Sequence, residues 1–303
     1  MTTTPTAAPG TAPTPAEIQQ TVEAAVKEIS HIATLPEVTM KIIKLVEDPE
    51  STAQDLNQVI SSDPALGARI LKVVNSAFYG LPGQIGSINR AVVLLGLNAV
   101  KNIAIAASLS KLFRGGKIAA NFDARDLWQH AIACATATKL LAEKTGMGLP
   151  DEAFLAGLIH DIGIMVEIQA RRADFVTALE KAESDGQPLR AAEFACIGAT
   201  HEQFGAGLCR MWKFPVAFQF VTGFHHHPMD ASEKQRPLVC LVYLADYVVA
   251  KLDMGFAHEC DATQPPPADV MAVVGLDQAV LDAVCAEMPQ AVEDAQGVFN
   301  AAG

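Results

Sequence analysis

The stretch FLAGLIHDIGIMVE, residues 154–167, places His160 and Asp161 side by side in an otherwise almost entirely apolar run. So apolar a run predicts a helix buried in the core of the protein. A carboxylate in such a core is strongly destabilising unless a cation or several hydrogen-bond donors offset its dehydration. The sequence therefore predicts that other side chains, or a bound cation, meet Asp161 inside the fold.

The composition favours a helical fold with a large core. The chain has 303 residues, of which 50% are apolar and only 18% are charged. This length is enough for two domains, or for one large domain with an extension. Aromatic residues are few while Ala and Leu are abundant, a mixture that favours packed helices. We expect an all-α protein, because no convincing period-two strand appears.

The charge distribution argues against nucleic-acid binding. The formal net charge is −12, and the Lys and Arg residues are scattered rather than clustered. An acidic surface repels phosphates unless a local basic patch exists. The stretch STAQDLNQVISSDPALGARILKVV superficially resembles a helix-turn-helix, but Arg69 and Lys72 are the only basic residues on its would-be recognition helix.

Cysteine usage and hydropathy predict a cytoplasmic protein without a membrane span. The six cysteines contain no CxxC pair, which is typical of reduced core thiols. The N-terminal Pro/Thr/Ala stretch lacks the basic and apolar regions of a signal peptide. The longest apolar stretch is interrupted by Asn98, Lys101 and Asn102, so we interpret it as one or two core helices.

The pattern of breaks predicts four parts. We expect a disordered tail over 1–15, an N-terminal helical subdomain over 16–120, a second helical subdomain over 121–258, and a C-terminal helical tail over 259–303.

Three local patterns make sharper predictions. DPALGARILKVVNSAFYG predicts a helix with Asp63 as N-cap and Pro64 at its first position, ending at Gly80. PDEAFLAGLIHDIG predicts one helix that includes the His-Asp pair. Thr200 and Gln203 form a capping-box pattern at the start of another helix.

Several helices carry a histidine or aspartate where the local pattern calls for an apolar residue. These residues are His130, His160, Asp161, His201, His225, His226 and Asp246. Imidazoles and carboxylates are the ligands of zinc, iron, manganese and nickel sites, and helical bundles build such sites from inward-facing side chains. A metal ion would then be the cation that meets Asp161.

Other interpretations remain open for the individual residues. A single buried histidine is usually a hydrogen-bonded core residue. Asp246 has Arg90 or Arg210 as alternative partners, and the three consecutive histidines at 225–227 fit a solvated helix end. Cys134 lies one turn after His130, where it either approaches a metal or acts as a small buried apolar residue.

The order H…HD…H…HH…D resembles the ligand order of the HD superfamily of metal-dependent phosphohydrolases, with the HD-GYP branch the most similar. The resemblance implies that the seven residues hold one or two divalent ions, iron, manganese or zinc. It further implies that Asp161 bridges two metals, which activate water for attack on phosphorus.

The wider sequence is similar to the HDOD domain, an HD-related output domain of bacterial signalling proteins, over roughly residues 32–250. The stretches that carry this resemblance are LPEVTMKIIKLVEDP, SSDPALGARILKVVNSAFYG, SINRAVVLLGLNAVKNIAI, EFACIGATHEQFGAGLCRMWKFP and HHHP. The resemblance implies an N-terminal helical bundle packed on an HD-like helical half.

Two departures from the HD-GYP pattern bear on activity. The Lys that follows HDIG in that branch is replaced by Ile164, and the chain reads HHHPMDAS where a Glu, an Arg and a GYP motif are expected. The groups that would hold a cyclic dinucleotide are therefore not evident, which disfavours cyclic-di-GMP hydrolysis.

Three functions follow as hypotheses. The favoured one is a regulatory module that acts through contacts with signalling proteins and retains a metal site. The alternative is a metal-dependent phosphohydrolase, a phosphodiesterase or nucleotidase, with a nucleotide or other phosphoester ligand. The third, a DNA-binding regulator that uses the N-terminal helices, is disfavoured by the charge.

Overall fold

A computed structural model describes residues 13–32, 36–110, 112–113, 116–120, 122–256 and 262–299. Over these residues the chain forms sixteen α-helices, one 3-10 turn and one two-stranded hairpin, which confirms the predicted all-α class. The hairpin, β1 (Lys117–Ala119) with β2 (Phe122–Asp123), is a difference from the sequence prediction. Its two paired positions are too few to produce a period-two pattern.

The helices follow one another with short connections. The first six are α1 (Pro15–Ile32), α2 (Glu37–Glu47), α3 (Ala53–Ser61), α4 (Pro64–Val74), α5 (Ile88–Leu95) and α6 (Leu97–Leu109). After the hairpin come α7 (Ala124–Thr145), α8 (Pro150–Ile159), α9 (Ile162–Ala170), α10 (Arg172–Asp185), α11 (Leu189–Ile197), α12 (His201–Met211) and α13 (Val216–Phe224). The 3-10 turn (Pro228–Asp230) precedes α14 (Arg236–Lys251), α15 (Ala268–Val273) and α16 (Gln278–Phe299).

The N-terminus of α4 is as predicted, and its C-terminus is not. Asp63 caps the helix by accepting a hydrogen bond of 2.9 Å from the Leu66 amide. The helix ends at Val74 instead of continuing to Gly80, so that prediction was wrong. Asn75 ends it, because its side chain exchanges hydrogen bonds of 2.6 and 2.8 Å with the backbone of Ile85 and thereby holds the following loop.

The predicted single helix over 150–163 is two helices that meet at the His-Asp pair. α8 ends at Ile159 and α9 begins at Ile162, with Asp161 in a non-helical conformation between them. The ring Nδ1 of His160 donates to the Gly157 carbonyl at 2.7 Å, which fixes the ring at the end of α8. The break directs both polar side chains into the interior from one point of the chain.

Two glycines allow the backbones around this break to approach their neighbours. A Cβ atom on Gly157 of α8 would lie 2.6 Å from the Cys134 carbonyl of α7. A Cβ atom on Gly163 of α9 would lie 1.8 Å from the His201 carbonyl of α12. No real contact is that short, so α9 and α12 can cross at this distance only with glycine at 163.

The structure describes the two ends of the chain only in part. Residues 1–12 of the expected N-terminal tail lie outside the described residues. α1 packs against α9 and α12, which lie within residues 121–258, the expected second helical subdomain. α16 is a 22-residue helix that packs on α7 and contributes to a core shared with α14 and α15.

One apolar segment, Pro150–Ala170, is long enough to cross a membrane by length and composition. Of its most apolar window, 89% is buried inside the protein, as in a core helix. The longest apolar stretch of the sequence, which Asn98, Lys101 and Asn102 interrupt, lies mainly in α5 and α6. Gly96, with a φ of +89°, separates these two helices.

We expect Gly163→Ala to lower the free energy of unfolding by about 3 kcal/mol, because the added methyl group forces α9 away from α12. Urea denaturation followed by circular dichroism measures the change. Gly297→Ala is the matched control, since Gly297 is exposed on α16 with open space around its Cα. The control is expected to be neutral or to stabilise by up to about 1 kcal/mol. Equal effects of the two substitutions would contradict the close crossing.

Candidate metal centre

The seven predicted site residues come from five separate places in the fold. They are His130 on α7, His160 and Asp161 at the break between α8 and α9, His201 at the start of α12, His225 and His226 at the end of α13, and Asp246 on α14. All seven side chains point to one region, where they form two groups. The structure therefore brings together every residue that the sequence pattern selected.

The first group lies between α7, α14 and the end of α8. The Nε2 atom of His130 is 3.3 Å from the Nε2 atom of His160. The same atom is 3.4 Å from Oδ1 of Asp246. Asp246 thus lies beside His130, and neither Arg90 nor Arg210 forms an ion pair with it among the described residues.

The second group lies between α12, α13 and the start of α9. The Nε2 atoms of His201 and His226 are 3.1 Å apart. Oδ1 of Asp161 is 3.2 Å from Nε2 of His225 and 3.6 Å from Nε2 of His201. His225 is 1% exposed, so the interpretation of the three histidines as a solvated helix end does not hold for it.

Asp161 lies between the two groups and contacts both. Its Oδ2 atom faces the first group, 3.2 Å from His160 and 3.4 Å from His130. Its Oδ1 atom faces the second group. A carboxylate whose two oxygens face two different groups of donor atoms has the arrangement of a bridging ligand.

Outer hydrogen bonds fix the orientation of three of the rings. Nδ1 of His201 donates to the Glu193 carboxylate at 2.9 Å, and Nδ1 of His225 lies 3.2 Å from the Val221 carbonyl. A carbonyl only accepts, so His225, like His160, carries its proton on Nδ1. The Nε2 lone pair then points into the centre, which is the usual arrangement of a metal-ligating histidine. His130 differs, since its Nδ1 is buried without a hydrogen-bond partner.

Glu193 is a functional residue that the sequence prediction missed. It is 0% exposed on α11, and it accepts hydrogen bonds from both the ring and the backbone amide of His201. The signal was present, since AAEFACIGA places an acid in an apolar helix. It holds the position of a residue that orients a ligand.

Charge and burial shift the pKa values of Asp161 and His160 in opposite directions. Burial raises the pKa of Asp161, but the charge of His160 and contacts with His130 and His160 hold it well below its usual value. Burial lowers the pKa of His160, but Asp161 and Asp246 outweigh this and raise it. A proton on His160 would therefore compete with any metal ion for the same nitrogen, and such competition would weaken as the pH rises.

The second group favours neutral imidazoles. Burial, followed by the charges of His225 and His201, lowers the pKa of His226 well below its usual value. Burial likewise lowers the pKa of His225. Neutral imidazole is the form that binds a metal.

The donor set fits a cation. Oδ1 of Asp161 and Nε2 of His225 are both buried without a hydrogen-bond partner among the described residues, although only 3.2 Å separates them. With the His225 proton on Nδ1, both atoms are acceptors, and two acceptors face each other favourably only across a positive charge. Within each group the donor atoms all lie within 4.8 Å of one another.

The side of the centre nearest to solvent is lined by charged residues. His226 is the least buried ligand of its group. Next to it, Arg190 donates to Glu202 at 3.5 Å and lies 3.4 Å from Nδ1 of His227. Burial raises the pKa of Glu202, but His227, His225 and His201 lower it to about 2, so this carboxylate is ionised. The sequence prediction did not include Arg190 or Glu202.

A family match covers most of the chain. The sequence model of the HDOD domain matches residues 32–228. An uncharacterised protein from Treponema pallidum is 26% identical over 226 residues, which cover 74% of this chain. The match spans 43% of the length of that relative, so this chain corresponds to less than half of it.

Solved structures share the fold. An HDOD domain protein of unknown function from Geobacter sulfurreducens has a TM-score of 0.76 at 22% identity, covering 91% of this chain and 99% of its own. A protein from Shewanella amazonensis, provisionally named a phosphohydrolase, has a TM-score of 0.70 at 24% identity, covering 91% and 98%. A provisionally named signal transduction protein from Marinobacter aquaeolei has a TM-score of 0.76 at 22% identity, covering 95% and 66%.

At these identities the likeness to solved structures shows the fold alone. The sequence match to the family is independent of that likeness and covers well over half of the residues. Together they show that this chain belongs to the HDOD domain family.

Proposed function

We propose that this chain is a bacterial signal-transduction module whose second helical half binds two divalent metal ions and whose output passes through contacts with a partner protein. One observation carries the metal assignment: two groups of buried donor atoms share the Asp161 carboxylate. The ions would be held by His130, His160 and Asp246 on one side and by His201, His225 and His226 on the other. Iron, manganese and zinc all accept such ligands.

Two cavities lie away from the proposed metal centre. A cavity of about 540 Å³ is lined by α4, the loop that follows it and Val298 of α16. A second, of about 600 Å³, is lined by the segment after α2, by α6 and by the start of α8. Neither is lined by a residue of the metal-ligand set. The name of the Marinobacter protein agrees with a signalling role. We assign the module to the cytoplasm, consistent with described cysteines that form no disulfide.

We expect Asp161→Ala to remove most of the bound metal, because both groups lose the carboxylate that they share. Plasma mass spectrometry of untagged protein, purified without chelators, measures the metal content. Asp230→Ala is the control, since Asp230 is exposed near the same histidines in sequence. We expect two equivalents of metal in the wild type and in the control. A wild type that binds no metal even after reconstitution would overturn the proposal, and so would full occupancy in Asp161→Ala.

We expect Glu193→Gln to weaken metal binding by about 10- to 100-fold, because the His201 ring loses the carboxylate that orients it. Competition against a chromophoric chelator measures the affinity. Glu180→Gln is the control, since Glu180 is exposed on α10. Unchanged affinity in Glu193→Gln would remove Glu193 from the centre.

A second candidate function is hydrolysis of a phosphoester. Metal ions of this kind lower the pKa of bound water and neutralise phosphate oxygens. The observation that favours it is Arg190, whose guanidinium lies 3.4 Å from Nδ1 of His227, the residue after the least buried member of the second group, His226. A phosphate group that reached His226 could accept a hydrogen bond from this guanidinium. Ile164 is fully buried in the apolar core and supplies no phosphate contact, so cyclic-di-GMP stays a disfavoured substrate.

If the centre is catalytic, we expect Arg190→Gln to raise KM for a phosphoester about tenfold, because one charge-assisted hydrogen bond to phosphate is lost. A panel of phosphomonoesters, nucleotides and cyclic nucleotides, assayed with metal-loaded protein, identifies the substrate. Arg172→Gln is the control, since Arg172 is exposed at the start of α10. Activity that persists in Asp161→Ala would show that a contaminant, and not this centre, is responsible.

A further inference from the structure

Cys134 lies inside the first group of donor atoms. It is 0% exposed on α7, one turn after His130, so the two side chains occupy the same face of the helix. Its Sγ atom is 3.5 Å from Nε2 of His130 and 3.8 Å from Oδ1 of Asp246. With His160 these residues make a set of four donors from three elements.

Four of the six donor-atom separations in this set are close to those of ligands around one metal ion. Donor atoms at tetrahedral angles, with bonds of about 2.0–2.1 Å for nitrogen or oxygen and about 2.3 Å for sulfur, lie about 3.3–3.6 Å apart. Two of the three pairs without sulfur are 3.3 and 3.4 Å apart. Two of the three pairs with sulfur are longer, at 3.5 and 3.8 Å. A longer metal–sulfur bond gives the same order of distances for these four pairs.

The other buried cysteines have a different environment. Burial raises the pKa of the Cys209 thiol to about 12 and that of Cys240 to about 11, which keeps both as neutral thiols. Cys209 lies in the larger apolar core. Cys240 lies on α14, as Asp246 does, but outside both groups of donor atoms. Cys134 alone among the three is placed against two imidazole or carboxylate donors.

We propose that Cys134 is a thiolate ligand of the metal ion held by His130, His160 and Asp246, and that the ion at this position is zinc or ferrous iron. This inference rests on the proposed metal centre. On binding, the thiol releases its proton to solvent and its sulfur bonds to the cation, with no change of oxidation state. Thiolates favour zinc and iron, whereas carboxylate, carbonyl and water ligands suit magnesium and manganese. The thiol thus narrows the choice of metal.

Cobalt(II) tests the ligand directly, because a thiolate bound to cobalt gives an intense near-ultraviolet charge-transfer band that imidazole and carboxylate ligands do not give. The full-length untagged protein is stripped of metal and titrated with cobalt chloride. We expect the band in the wild type and in Cys240→Ala, which removes a buried thiol away from the centre. We expect Cys134→Ser to bind cobalt at least about tenfold more weakly and without the band.

The outcomes separate this inference from the metal assignment itself. Stoichiometric cobalt binding by the wild type without the band would overturn the role of Cys134 and leave the metal centre standing. Absence of cobalt binding by the wild type would overturn both. The wild-type spectrum decides the question even if Cys134→Ser fails to fold, which circular dichroism detects.

Competition dialysis gives a second readout of metal choice. With zinc and manganese at equal concentrations, we expect the wild type to take up zinc at the first group. We expect the ratio of bound zinc to bound manganese to be at least about tenfold lower in Cys134→Ser. Cys240→Ala is again the control. An unchanged ratio in Cys134→Ser would contradict a thiolate ligand.

Discussion

The structure depends on one electrostatic requirement, the compensation of the Asp161 carboxylate in the protein interior. Asp161 is 7% exposed at the junction of α8 and α9, and four histidines lie within 3.6 Å of its oxygens. Isolated burial of that charge would be strongly unfavourable. The surrounding helices therefore place their imidazoles around this one carboxylate. The histidine-bearing faces of α7, α12 and α13 accordingly turn inward.

Close packing of the helix backbones positions these imidazoles. Glycines at 157 and 163 let α8 approach α7 and α9 approach α12 more closely than any larger residue permits. Hydrogen bonds to backbone carbonyls then orient the rings of His160 and His225. The Glu193 carboxylate accepts hydrogen bonds from the ring and from the backbone amide of His201. The centre thus rests on rigid helices with locked side chains, which is the condition for a defined metal site.

The Cys134 thiol and Arg190 give the centre features beyond the shared H…HD…H…HH…D pattern. The thiol enters the more enclosed group, where it would favour zinc or iron. The guanidinium contacts His227, next to the less buried second group.

The helical class and the cap at Asp63 could be predicted from local sequence patterns. So could the seven polar residues that the structure brings together, because histidine and aspartate in apolar helices violate a strong local pattern. The sequence could not determine that α4 ends at Val74 or that α8 and α9 separate at Asp161, because contacts with distant loops and rings decide those ends. The division of the seven side chains into two groups, with Asp161 in contact with both, depends on how the helices pack. The tertiary structure alone added Glu193, Arg190 and the placement of the Cys134 sulfur, since these roles depend on distances between helices that are remote in the sequence.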